Sequence, residues 1–174
     1  MLDTTRTFAP HGSADDPDPA SPHYHIDPSW FAEHGLSFDA VVRARMCETC
    51  QAKFGTEVEE RVPVFDKATG RMQFEVRRVN YGSDPLKVIG DHCGRAKSYI
   101  HRDLPTLEAI FRIFLANGNE PMTLEQVREQ LAEWCPGGGC QWLLLPVETV
   151  HRLVQNDRHY GLSEVAAASK RKKP

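Results

Sequence analysis

Five cysteines are the residues of this chain best suited to chemistry: Cys47, Cys50, Cys93, Cys135 and Cys140. Cys47 and Cys50 stand two residues apart in Arg45-Met46-Cys47-Glu48-Thr49-Cys50, so a single turn of backbone can present both sulfurs to one metal ion. Cys93 lies in Gly90-Asp91-His92-Cys93-Gly94, where glycines on either side permit a tight backbone around a ligand. Cys135 and Cys140 bracket Pro136 and three consecutive glycines, again a backbone able to wrap an ion. Tetrahedral zinc takes four such ligands at about 2.3 Å for sulfur. The expectation is one Zn2+ site that ties the first, middle and last parts of the chain together. Five cysteines for four places leave one spare, unless His92 replaces one of them.

Three other uses of these thiols compete. Four thiolates also hold an iron–sulfur cluster. Cys47 and Cys50 could form a dithiol redox pair, but no strand-knuckle-helix context surrounds them. Buried cysteine packs as a small hydrophobe, which suits Cys135 behind Trp134 and suits Cys47 and Cys50 poorly, since Glu48 and Thr49 are polar. Compartment weighs on the choice. The chain has no charged start leading into an apolar stretch, and no apolar run near the roughly 18 residues that span a bilayer. A cytoplasmic protein with no membrane association is expected, and an odd number of cysteines there favours metal over a disulfide framework.

Catalytic signatures are missing from the sequence. Neither H-E-x-x-H nor H-x-E with P-C-x-x-C occurs, and there is no G-x-S-x-G, phosphate loop or dinucleotide fingerprint. Glu48 beside the knuckle could act as a base, but a solvated loop position explains it. The expectation is a protein that is not an enzyme.

The elements that must position the cysteines follow from periodicity. Residues 1–24 are rich in Pro, Asp, Ala and Ser and read as a disordered segment. Asp27 with Pro28 opens a short helix that ends at Gly35. Ser37 caps a second, with Phe38, Val41, Val42 and Met46 at helical spacing. From Thr56 to about Asn80 the period becomes two: Val62 and Val64, then Met72, Phe74 and Val76, around an Asp66-to-Gly70 turn. Leu107, Ile110, Phe111, Phe114 and Leu115 stripe a third helix. Thr123 and Gln126 form a capping box for a fourth, with Met122 and Val127 as its staple and Leu124, Leu131 and Trp134 on its buried face. Pro146 opens a fifth through about Asn156, with Val147, Val150, Leu153 and Val154 inward. Arg43 and Arg45 read as a solvated face.

A metal knuckle followed by a hairpin is similar to half of a zinc ribbon. The stretch from about Leu104 to Val165 resembles a winged helix-turn-helix in the order and spacing of its elements. That resemblance implies a recognition helix from Pro146, with Thr149, His151, Arg152 and Gln155 outward and Arg158 and His159 beginning a wing. Two departures are visible: the second and third helices of the unit are joined by the long cysteine loop, and few cations lie on the recognition helix.

The reading is thus an α+β protein. A helical and zinc-ribbon-like hairpin unit (25–103) would pack with a winged-helix-like unit (104–165), and a basic tail (166–174) would follow. Its formal charge of −3 is unevenly placed, with an acidic start and Lys170, Arg171, Lys172 and Lys173 near the end. The expected function is non-catalytic zinc-dependent nucleic-acid binding, DNA or RNA, assisted by that tail. The alternatives are an adaptor that docks on a larger protein complex, and an iron–sulfur redox sensor.

Overall fold

A computed structural model describes residues 21–80 and 82–165. Most of the segment expected to be disordered (through residue 20) and the basic tail, with Lys170, Arg171, Lys172 and Lys173, lie outside the described residues. The order is β1 (His23–Ile26), α1 (Pro28–Glu33), α2 (Phe38–Arg43), α3 (Glu48–Lys53), β2 (Glu57–Asp66), β3 (Arg71–Asn80) and α4 (Pro85–Asp91). A 3-10 turn (Cys93–Arg95) leads on to α5 (Thr106–Ala116), β4 (Met122–Thr123), α6 (Leu124–Glu133), α7 (Gln141–Leu144), α8 (Val147–Gln155) and β5 (Leu162–Glu164). The chain is therefore mixed helix and strand. No helix among the described residues is long and apolar enough to cross a membrane.

Local signals set the helix ends. Asp27 accepts from the Ser29 N–H (2.9 Å) with Pro28 at the first helical position, and Ser37 accepts from the Ala40 N–H at 3.2 Å. The capping box of α6 is closed in both directions: Gln126 N–H donates to Thr123 Oγ1 at 3.3 Å, and Thr123 N–H donates to Gln126 Oε1 at 3.0 Å. Asp84 caps α4 by accepting from the Leu86 and Lys87 N–H groups, with Pro85 at the first helical position.

The core is built around α5, in which Ala109, Ile110, Phe111, Phe114 and Leu115 are wholly enclosed. One buried cluster runs from Tyr24 to Leu162, so it crosses the boundary expected between residues 103 and 104. The three-stranded sheet does the same, because β1 lies between β4 and β5 and pairs antiparallel with both. His23 to Ile26 thus form a strand whose Tyr24 and Ile26 point inward, where linker was expected up to Tyr24. Asn119 fixes this strand to the α5 end, accepting from Ile26 N–H and donating to Ile26 O, both at 2.8 Å.

The hairpin forms where expected, closed by Asp66, whose carboxylate accepts from Ala68 N–H and Thr69 Oγ1 (2.8 Å each). Its register pairs Phe65 with Met72 and Pro63 with Phe74, while Val62 and Val64 face Glu75 and Gln73. Pro63, Phe65, Met72, Phe74 and Val76 therefore share one face, and Val62 and Val64 the other. The first face is not covered: Phe74 is 69% exposed and Val76 62%. The hairpin packs on itself along its length and makes no extensive contact with another element among the described residues.

Candidate metal centre

The cysteine knuckle is built on a helix start. Cys47 is the N-cap of α3 and Cys50 closes its first turn, so helical geometry rather than a loop sets their spacing. Cys93 arrives from α4 through the 3-10 turn. That turn is pressed against α5 at Gly94, where an added Cβ would meet the Ala116 Cβ at 2.9 Å and the Ile89 carbonyl oxygen at 3.1 Å. Glycine is needed there because no side chain fits between the turn and the helix.

The result is a group of three thiols, Cys47, Cys50 and Cys93, whose sulfurs lie within 4.8 Å of one another and could hold a metal ion. The Cys47 and Cys93 sulfurs are 3.5 Å apart, and the Cys47 backbone N–H donates to Cys93 Sγ at 3.3 Å. Cys50 and Cys93 are buried and Cys47 is half-buried. Their acidities differ for physical reasons. Burial and the neighbouring sulfurs push the Cys50 thiol well up. Burial also raises Cys93. At Cys47 burial is outweighed by the Cys50 and Thr49 backbone N–H groups at the start of α3 and by the adjacent thiols, which hold it below the ordinary thiol value.

The fourth ligand expected from the Cys135–Cys140 loop is not supplied. Those two sulfurs are bonded to each other in a disulfide spanning a sequence separation of 5. Gly138 and Gly139 both take positive φ, 66° and 77°, which turns the loop back so that its ends meet. Glycines able to wrap an ion here close a covalent loop instead. His92 sits at the junction of α4 and the 3-10 turn and is not among the gathered ligands.

Sequence reasoning missed the charged group beside the thiols. Arg45 was expected to be solvated, yet its guanidinium grips Glu108 with two bonds of 2.9 Å and lies 4.7 Å from the Phe111 ring. Arg112 adds a third bond to Glu108 at 2.9 Å and donates to Tyr99 O at 2.9 Å. Burial opposes ionisation of Glu108, but the two arginines overcome it and hold the carboxyl below the usual range. The Glu108 and Arg112 spacing of four was the available signal; nothing local pointed to Arg45.

Arg152 and Gln155 are exposed on α8, Thr149 is half-buried, and Arg158 is exposed in the loop that follows. His151 is not outward, because its Nε2 lies 2.7 Å from the Tyr24 hydroxyl. Tyr24, Leu124, Val147 and His151 line a mainly apolar cleft of about 420 Å³, with Glu125 and Glu148 among its walls. The chain matches no family model, and no characterised protein or solved structure shows detectable similarity to it.

Proposed function

We propose that this protein is a non-catalytic binding module stapled by one zinc ion on Cys47, Cys50 and Cys93. The observation that carries the reading is the convergence of three thiols from two chain segments within 4.8 Å. Sulfurs around one tetrahedral zinc stand about 3.8 Å apart, given bonds near 2.3 Å, and the Cys47–Cys93 separation of 3.5 Å suits a single ion. An iron–sulfur cluster distributes its thiolates over different iron atoms and so asks for wider spacing. Elemental analysis of anaerobically purified protein tests this. One zinc per chain with no visible absorption is expected; iron with a broad visible band would overturn it.

Nucleic acid is the target in this reading, met by Arg152, Gln155 and Arg158 with help from Lys170, Arg171, Lys172 and Lys173. The succession α5, β4, α6, α8 and β5 supports a winged-helix-like unit, with β1 completing its sheet. Binding should fall steeply with salt, and Arg152→Ala should weaken it several-fold across sequences without unfolding the protein. Unchanged affinity of Arg152→Ala would remove α8 from the interface. The cleft beside α8 favours a second reading, a protein-docking adaptor, because its mainly apolar walls suit a side chain and its rim carries both signs of charge, Glu125 and Glu148 with Arg152. Salt-insensitive binding to a protein partner would select that reading.

A further inference from the structure

Three thiols leave a four-coordinate ion one ligand short, and among the described residues no further cysteine, histidine or carboxylate joins the group. Next to the thiols lies a cavity of about 190 Å³ whose walls include Cys47, Cys93, Arg45, Ser98, Tyr99 and Arg112. Two of these residues have unspent capacity. Tyr99 is 4% exposed, and among the described residues its hydroxyl has no hydrogen-bond partner. A buried hydroxyl without a partner is costly, so a ligand or water that accepts from Tyr99 would be favoured there. Burial raises the Tyr99 phenol. Arg112 uses Nε on Glu108 and Nη1 on Tyr99 O, and neither bond involves Nη2. Arg45, by contrast, has Nε and Nη2 on Glu108 and Nη1 on Val41 O.

We propose that the metal centre is open, and that its fourth position takes a small thiolate from solution that also bears a carboxylate, held by Arg112 and Tyr99. The inference rests on the metal reading above. A thiolate matches the softness of the three protein sulfurs, and a carboxylate matches the unused guanidinium edge and the Tyr99 donor. The two arginines and Glu108 sum to one positive charge, which offsets one of the two negative charges the ligand brings, that of its carboxylate. About 190 Å³ is room for roughly six water-sized groups, enough for mercaptoacetate. On binding, the thiol loses its proton to solvent, a sulfur–metal bond forms, and the water on the metal leaves.

The test is cobalt substitution of the full-length protein followed by titration with mercaptoacetate, with 2-mercaptoethanol as the comparison lacking a carboxylate. The cobalt bands report the metal and are indifferent to the disulfide. Mercaptoacetate should perturb them saturably, at about tenfold lower concentration than 2-mercaptoethanol, equivalent to about 1.4 kcal/mol. Tyr99→Phe removes a hydroxyl without a hydrogen-bond partner among the described residues, so it should leave the thermal midpoint of the ligand-free protein unchanged or raised while weakening mercaptoacetate binding several-fold. Arg112→Gln should erase the preference between the two thiols. A cobalt spectrum unmoved by either thiol, or a Tyr99→Phe protein that binds mercaptoacetate as tightly as the parent, would overturn the proposal. Failure to take up cobalt at all is seen before any thiol is added; it would overturn the metal reading and this inference with it.

Discussion

Cys47 and Cys93 meet from positions 46 residues apart, whereas Cys135 and Cys140 meet across a separation of 5. Both groups are largely buried, but the enclosing structure differs. The first is gathered by a helix start, a 3-10 turn and the flank of α5, so its three thiols converge only if the core around them is formed. The second is gathered by its own glycines and needs no other element to bring its ends together. A long-range thiol group reports tertiary structure and can trade free energy with a bound ion. A short-range disulfide mainly restricts the unfolded chain, and a loop this short restricts it less than a long one would.

Cys50→Ser should break this contrast most sharply. It removes a buried ligand from the long-range group, and a loss of about 4 kcal/mol together with the metal is expected. Chemical unfolding and elemental analysis on the same preparation check it. A variant of parental stability and metal content would show that the three thiols do not act as one site.

Glu108→Gln comes next and separates the thiol group from its charged neighbour. The change strips the counter-charge from Arg45 and Arg112, whose side chains are only 20% and 21% exposed, and a cost of about 3 kcal/mol is expected. The parent should also show a matching pH dependence. Because the folded Glu108 carboxyl is held below its ordinary value, its contribution is present above the unfolded-state value of about 4.3. It is lost as the pH falls through the lower folded value. Acid titration of stability should therefore flatten in Glu108→Gln. An unaltered acid limb would place the acid sensitivity elsewhere.

The double variant Cys135→Ser/Cys140→Ser should cost less, about 2 kcal/mol for so short a loop, and should leave metal content untouched. Loss of metal in this variant would mean that the two cysteine groups are coupled after all, and would revive the expectation of a shared site.

Which features could be read from the sequence follows the same division between local and distant. The capping box at Thr123, the turn at Asp66 and the stripe on α5 were legible because each is specified within about one or two turns of chain. The pairing of Cys93 with the Cys47 knuckle was legible as chemistry, since residue type alone nominated it. Arg45 on Glu108 was not, because 63 residues separate them and each reads as an ordinary surface charge. The disulfide was misjudged as ion-binding for a related reason: two left-handed glycines serve either purpose, and only the direction in which the sulfurs point decides. Strand β1 was hidden by the composition before it. Its alternation of His and buried Tyr24 or Ile26 is a period-two signal only four residues long.

The smallest effect is expected where the core has no part, on the hairpin arm. Phe74 is 69% exposed and shares its face with Phe65, Met72 and Val76, none of which meets another element extensively. Two-stranded hairpins are marginal alone in water, so this arm holds its form through cross-strand pairs and the Asp66 turn. Replacing one exposed apolar side chain removes little buried area. Phe74→Ser should change global stability by no more than about 0.5 kcal/mol, because the cooperative unit that includes the thiol group lies elsewhere. A loss above about 2 kcal/mol would mean that this face is buried in solution, and sedimentation of the parent against Phe74→Ser would then show whether a second copy buries it. With an unchanged midpoint, the molecule divides into a core that answers to its cysteines and an arm that does not.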